Sequence, residues 1–581
     1  MSDADEGPGV AAGAPAAGVA GAGARPSPVN ASAAERTIPR QSLVREELGE
    51  PDGPVPPGFA SSAFVAMPIS RESLLMPPTV CARVMERLDR TDESADRPSY
   101  TDGVPIRRAR LVSPAQSDLR DALAALRVEF DLPAGFPADV QAEAEHAART
   151  VPVDPAVAGL ADLRGIPFLT IDPEGSTDLD QALHLERTAD GGGILHYAIA
   201  DIPAFVTLGG AVDAEARRRG QTIYAPDGRI PLHPAVLSED AASLLPDRDR
   251  RAYVWRFELD AGARPTSTSL TRAVVRSRAQ WSYVDAQAAL EKGGAPDSIR
   301  HLVWFGEERA RREIERGGAS LSLPEIRVVT TPQGYALEAD EGVPLEDANA
   351  QVSLLTGMAA AEIMISGGVG IIRTMPPASD DDVAAFRAQT IGFGLPWREA
   401  VPYGDYLRDL PRTPVGRAVR EHAAALFRGA GYAAFDGGLP EPTTQAAIAA
   451  PYAHVTAPLR RLVDRWALLV CDALANGRPV PDDVRSSLTD LPETMERSAR
   501  IASQVDAAAI ERVAAAVLTG REGEEFDAVV LRQREGGARV ALTLPPLETV
   551  VADVDAQPGD VVRVRLVATD VARGKSEFIA V

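Results

Sequence analysis

The rhythm of apolar positions changes several times along the chain and marks out its elements. Residues 1 to 60 are rich in Ala, Gly and Pro and hold almost no large apolar side chains. Burial there cannot offset the entropy of ordering, so the segment is expected to be disordered. Asp89–Asp102 is a second polar stretch and reads as a loop or linker. Between Ser113 and Thr150 leucines recur at helical spacing, as in Leu119-Arg-Asp-Ala-Leu-Ala-Ala-Leu126. From Ile166 strands and helices alternate. Ile166–Ile171, Leu195–Ala200 and Val254–Leu259 are predicted strands, and Val212–Arg219, Ile299–Glu315, Ala348–Ile365 and Asp381–Gln389 predicted helices. Near the C-terminus Phe526–Arg532, Ala538–Leu544, Val561–Val567 and Glu577–Val581 alternate apolar residues between turns at Gly536-Gly537 and Pro558-Gly559. Short strands punctuated in this way predict a small barrel. The fold class is therefore α+β.

Composition narrows the class. At 581 residues the chain can hold several domains, and 45% hydrophobic residues suit a soluble globular protein. No uninterrupted apolar stretch looks long enough to span a bilayer, and no basic lead precedes an apolar run as in a secretory signal. Cys81 and Cys471 are the only cysteines, too few for a disulfide framework or a cysteine metal site, so a cytoplasmic location is expected. The net charge of −23 argues against nucleic-acid binding over the whole surface, because phosphate affinity comes from neutralising cations. A basic channel inside an acidic shell remains compatible with it. Lys292 and Lys575 are the only lysines; the arginines that carry the remaining positive charge grip phosphate oxygens in pairs.

Chemistry concentrates after the first strand, in Thr170-Ile-Asp172-Pro-Glu-Gly-Ser-Thr-Asp178-Leu-Asp180-Gln181. Three aspartates within nine residues repel one another unless they are solvated, protonated or shared around a cation. A hard cation such as Mg²⁺ takes a few carboxylate oxygens and completes its shell with water and substrate phosphate. By itself the cluster fits a solvated acidic turn equally well.

The wider context resembles a known family. Ile166–Glu186 followed by Leu195-His-Tyr-Ala-Ile-Ala-Asp201 resembles the first signature of the RNB exoribonucleases, the ribonuclease II and ribonuclease R type. Tyr452-Ala-His454-Val-Thr456-Ala-Pro458-Leu-Arg460-Arg461-Leu-Val-Asp464-Arg465 resembles the second. The resemblance implies an RNB catalytic domain over 161–480, a mixed β-sheet wrapped by helices. It also implies a helical connection over 481–520 and an OB-type barrel over 521–581. Residues 61–160 form a short N-terminal region without recognisable cold-shock barrels. It further implies hydrolysis of single-stranded RNA from the 3′ end to nucleoside monophosphates, with Mg²⁺ as cofactor and Mn²⁺ as its alternative. Asp172, Asp178, Asp180 and Gln181 match the metal-binding positions, and Asp178, Asp180 and Arg460 the catalytic ones. Tyr224, Tyr283, Arg461 and Asp506 match RNA-contacting positions. Family precedent is a monomer, with the N-terminal tail a candidate tether to an RNA-decay complex.

Local reading adds detail and some tension. Leu459, Leu462, Val463, Trp466 and Val470 have helical spacing, with Thr456 as cap and Pro458 in the first turn. Arg460 would then sit on the positive end of that helix, paired with Asp464. His454 is expected to fix the loop rather than to catalyse. Gln181 stands where the family has a fourth aspartate, and Leu355-Thr356 where it has a Glu-Glu pair. The barrel region 521–581 holds eight basic against eleven acidic residues, and Phe526 and Phe578 are its only aromatics, whereas single-strand binders use aromatic platforms. Those phenylalanines are expected in its core. Two other readings compete: a catalytically weak or inactive RNA-binding scaffold, and a phosphodiesterase acting on very short oligonucleotides.

Overall fold

The computed structural model describes residues 109–110 and 115–581, with short breaks at 322, 324, 332–333 and 341. The expectations for residues 1–60 and Asp89–Asp102 lie outside them. Strand β1 (Ala109–Arg110) joins β10 (Glu325–Thr331) and β11 (Gly334–Asp340) in a small three-stranded sheet.

A curled six-stranded sheet is the centre of the fold. It comprises β2 (Ala161–Asp162), β3 (Phe168–Asp172), β4 (Gln181–Arg187), β5 (Gly193–Ala200), β8 (Asp249–Leu259) and β9 (Pro265–Ser282), in the order β2-β9-β3-β4-β5-β8. The first part of β9 pairs antiparallel with β8 up to Arg276, and the rest runs parallel to β3 from Ser277. The pairings therefore close a ring. Side chains alternate across it as strand geometry demands. Leu183, Leu185, Tyr197, Ile199, Tyr253, Trp255 and Phe257 face one core, while the small Ala182, Ala198, Ala200, Ala252 and Val254 face another. The large side chains meet the helices Asp297–Glu315, Pro344–Gly367 and Leu462–Ala475.

Most predicted elements are present with ends moved by a few residues. The long hairpin of β8 and β9 was not expected, because the first half of β9 is Thr, Ser and exposed. The helix Pro344–Gly367 corrects another expectation, being long and apolar enough to cross a bilayer. Here Leu345, Val352, Leu355 and Met364 pack it into the protein core instead.

β6 (Ile223–Ala225) and β7 (Gly228–Ile230) form a hairpin, and β12 (Val369–Thr374) pairs with β13 (Gly431–Asp436). The C-terminal strands β14 (Glu525–Arg534), β15 (Gly537–Leu542), β16 (Leu547–Ala552), β17 (Val561–Asp570) and β18 (Lys575–Ala580) close a five-stranded barrel. β16, after Pro545-Pro546, is the strand its sequence hid. Phe526 and Phe578 meet edge to face inside it at 5.9 Å. The helix Ala115–Glu129 and the end of the helix Leu491–Leu518 share this barrel's core.

Candidate active site

The two motifs meet at one end of the central sheet. Asp172 is the last residue of β3, opposite Ser282 of β9. Asp178 and Asp180 lie in the loop entering β4. This loop is pinned by Ser243, whose Oγ accepts from Leu179 N at 3.0 Å and donates to the Thr177 carbonyl at 2.8 Å. The segment precedes β4 and is not part of a strand. Asp180 is buried at 3% exposure. Its Oδ1 accepts from Leu459 N at 2.7 Å, and its Oδ2 lies 3.4 Å from Arg460 Nε.

Residues Thr456–Leu462, which carry Arg460, are held by nearly every backbone group. Gln181 Nε2 donates to the Thr456 carbonyl at 2.6 Å, and Ala457 N donates to Asp464 at 2.7 Å. His233 Nδ1 lies 3.2 Å from the Leu459 carbonyl; because that oxygen can only accept, Nδ1 carries the proton. Thr222 N donates to the Arg460 carbonyl at 2.9 Å, and Leu462 N to Gly220 O at 3.0 Å. Two close approaches need glycine. A Cβ on Gly220, at φ +75°, would meet Ser498 at 2.5 Å; one on Gly357 would meet the Tyr452 ring at 2.2 Å. Ala457 O accepts from Arg460 N at 3.2 Å and Arg461 N at 2.9 Å, so a single turn closes here, but it stops at the extended Arg461 (φ −128°, ψ 125°), which corrects the predicted helix start. The helix begins at Leu462 with Arg461 as its N-cap residue, and Thr456 and Pro458 lie outside it. Arg461, not Arg460, pairs with Asp464, at 2.7 Å.

This packing creates an electrostatic load. Burial pushes the Asp172 carboxyl up to about 7 and that of Asp180 up to about 8, against the pull of Arg460. Asp172 Oδ2 is buried with no hydrogen-bond partner. An uncompensated buried carboxylate oxygen is costly, and a divalent cation is the group that suits it. Among the described residues no three His, Cys, Asp or Glu side chains stand together as a metal-holding group. Asp172, with its unpartnered oxygen, is the position whose chemistry fits a cation, and Mg²⁺ completes such a shell with water and phosphate.

The remaining positions are occupied as follows. Asp178 Oδ1 accepts from Arg229 Nη1 at 2.6 Å, and its Oδ2 from the Tyr224 hydroxyl at 3.1 Å. Arg229 also reaches Glu239 at 2.7 Å and Thr177 Oγ1 at 2.6 Å. Gln181 Oε1 accepts from the Tyr197 hydroxyl at 3.0 Å, so both ends of its amide have protein partners. Asp178 and Gln181, expected as cation ligands, thus both carry protein hydrogen bonds, as Asp180 also does. Tyr283, first residue of the helix Tyr283–Glu291, accepts from Asn349 Nδ2 at 3.3 Å; burial and nearby Asp172 push its hydroxyl up to about 12. Tyr224 is 50% exposed at the rim. Asp506 is exposed on the helix Leu491–Leu518, next to Val505, which packs against Ile223 and Ile230 of the hairpin. Leu355 and Thr356 are buried, with Thr356 Oγ1 donating to Val352 O. His454 Nδ1 lies 2.6 Å from the Tyr432 hydroxyl, and burial holds its imidazole well below the ordinary value, so it is neutral.

Arg229, Tyr197 and His233 were missed in the sequence. Tyr197 lies inside a quoted motif and Arg229 and His233 lie outside all of them, and each partner is reached only in the folded chain.

The same features appear in known proteins. Residues 160–473 match the RNB domain family, and residues 524–581 match the RNase II-type exonuclease C-terminal S1 domain. Exosome complex exonuclease RRP44 homolog A of Arabidopsis thaliana is 27% identical over 394 residues, 65% of this chain and 42% of that protein. Ribonuclease R of Aquifex aeolicus (strain VF5) is 26% identical over 496 residues, 78% of this chain and 69% of that protein. The chain thus spans less than half the length of the plant relative. Among solved structures, Mycoplasma genitalium RNase R in complex with ribose methylated single-stranded RNA superposes with a TM-score of 0.71 at 17% identity, covering 80% of this chain and 78% of that one. Yeast Ssd1, described as a pseudonuclease, shares the fold with a TM-score of 0.57 at 17% identity, covering 68% of this chain and 50% of that one.

Proposed function

The chain belongs to the RNB family, and we propose that it is a metal-dependent 3′→5′ exoribonuclease that hydrolyses single-stranded RNA to nucleoside 5′-monophosphates. A pseudonuclease shares the fold, so fold alone does not carry the activity. One observation does: Asp180 joins the two motifs, bonded to Leu459 and next to Arg460. A buried carboxylate and a half-exposed guanidinium stand side by side, with the guanidinium open to a phosphate.

The roles follow from position. Asp172 and Asp180 would hold Mg²⁺ or Mn²⁺, which when bound supplies charge neutralisation and an acidified water. Asp180 orients the attacking water beside the scissile phosphate. Arg460, 45% exposed, presents its remaining N–H groups to the phosphate and stabilises the charge growing on its oxygens. Attack breaks the bond between phosphorus and the 3′ oxygen; that oxygen leaves with a proton, and the released nucleotide keeps the 5′ phosphate. Tyr224 and Tyr283 offer ring faces for bases, which suits a nuclease without sequence preference. The partner is RNA, the acting form a monomer and the location cytoplasmic in this reading.

A gel time course on 5′-labelled single-stranded RNA with Mg²⁺, beside Asp180→Asn and a chelated control, tests it. A ladder shortening from the 3′ end and absent in both controls is expected. Intact RNA at high protein concentration, with RNA still bound, would overturn the catalytic reading and leave a binding scaffold.

A further inference from the structure

We propose that Gln181 is a positioning residue that fixes the Arg460 loop, not a cation ligand. The inference rests on the exoribonuclease reading above, since it concerns where the phosphate clamp of that reaction is held. Direction in the hydrogen-bond chain carries it. The Thr456 carbonyl can only accept, and Gln181 Nε2 stands 2.6 Å from it. The amide nitrogen must therefore face Thr456, which turns Oε1 toward Tyr197. The Tyr197 hydroxyl donates to Oε1 at 3.0 Å. Its oxygen is then left to accept, and Ser353 Oγ stands 2.8 Å away.

The chain runs Ser353 → Tyr197 → Gln181 → Thr456, from the helix Pro344–Gly367 across the sheet to the loop four residues before Arg460. Every member has one role, and the order reads in one direction only. Tyr197 is buried at 1% exposure and Thr456 at 3%, so water does not compete for these bonds and an unmade one is costly. A carboxylate in place of the amide would set oxygen against the Thr456 carbonyl oxygen. Only a side chain with an acceptor at one end and a donor at the other completes the line, and at this length glutamine provides both at any pH, whereas an ionised glutamate provides no donor.

The test uses the full-length protein and four variants: Gln181→Met, Gln181→Glu, Arg460→Ala, and Gln181→Met combined with Arg460→Ala. Mg²⁺ binding is read by titration calorimetry, and hydrolysis of a single-stranded RNA gives kcat and KM. Outer-sphere partners of this kind are worth about 10- to 100-fold in activity. Gln181→Met is expected to lower kcat in that range, with KM and the Mg²⁺ dissociation constant within about twofold of the parent. It should cost nothing further when Arg460 is already alanine, because both changes remove one device. Gln181→Glu keeps the acceptor for Tyr197 but loses the donor, and should lose kcat similarly; circular dichroism checks that each variant is folded. A tenfold weaker Mg²⁺ affinity in Gln181→Met, or a full additional loss in the double variant, would overturn the inference and make Gln181 a ligand. If the parent does not hydrolyse RNA, or Arg460→Ala matches it, the exoribonuclease reading itself falls.

Discussion

The backbone N–H of Leu459 donates to Asp180 Oδ1 at 2.7 Å across 279 positions of sequence. That bond makes one carboxylate serve two functions: it orders the turn before Arg460 and supplies the charge at the site. The functions separate by substitution. Asp180→Asn keeps an acceptor for Leu459 and removes the charge, so the fold should persist while kcat falls roughly a hundred- to ten-thousand-fold. Asp180→Ala also strands a buried N–H, and should be less stable than the Asn variant by about 1–3 kcal/mol in denaturant titration. Equal stability of the two variants would mean that the bond does not order the loop.

The raised carboxyls predict a pH dependence. Asp172 and Asp180 move from the ordinary 3.8 to about 7 and about 8 on folding. Folded-state values above unfolded ones give a stability contribution that is full below about pH 4 and is lost as pH rises through 7 to 8. Half-buried His196 and buried His233 run the other way, lowered from 6.5 to about 4 and about 3; their contribution is present above 6.5 and lost as pH falls through those values. Between pH 6.5 and 8 the carboxyls therefore dominate. Without divalent cation the melting temperature should fall over that window. Asp172→Asn should flatten the slope and raise the melting temperature at its upper end. An unchanged slope in that variant would contradict the assignment.

What could be read from the sequence, and what could not, divides along sequence distance. Asp172, Asp178, Asp180 and Arg460 could be singled out because the short segments that carry them resemble the family's two signatures, not because their spacing alone fixes a role. The partners were not. Arg229 reaches Asp178 across 51 positions, and Gln181 reaches Thr456 across 275; no local pattern encodes either. The helix start failed for a related reason. Thr456 and Pro458 carry the local signals of a helix entry and a single turn does follow them, but with Asp180, His233 and Thr222 bonded to its peptides the chain then extends at Arg461 before the helix begins. The first half of β9 was invisible because its Thr and Ser residues face solvent, and a strand so exposed has no apolar rhythm.

Arg465 and Asp213 form a buried ion pair behind the site, with side chains 1% and 2% exposed. The pair ties the helix Leu462–Ala475 to the helix Ala211–Arg219. Asp213 has a second partner in Arg217 at 3.0 Å, whereas Asp213 is the carboxylate that Arg465 bonds. Removing the Asp213 charge therefore leaves an unpaired buried guanidinium, which typically costs about 3–5 kcal/mol. Asp213→Asn should destabilise the protein by that order. Arg465→Met combined with Asp213→Asn should recover much of it, because no lone buried guanidinium remains. Chemical denaturation of the single and double variants measures both. A double variant no better than the single would mean that Arg465 contributes chiefly by packing against Trp466, over which it lies at 4.2 Å.

Tyr224 has two parts with separable consequences. Its ring is half exposed at the rim of the site, and its hydroxyl donates to Asp178 at 3.1 Å. A base stacked on the ring would be worth about 1–3 kcal/mol, or roughly 5- to 150-fold in affinity. Tyr224→Ala should therefore weaken binding of a short single-stranded RNA within that range, by fluorescence anisotropy with Ca²⁺ in place of Mg²⁺ to suppress turnover. Tyr224→Phe keeps the platform, so RNA should bind within about twofold of the parent. It loses the bond to Asp178, leaving Arg229 as that carboxylate's only partner among the described side chains, and its effect should fall on kcat. If Tyr224→Phe weakens RNA binding as much as Tyr224→Ala does, the hydroxyl and not the ring makes the contact, and the stacking role fails.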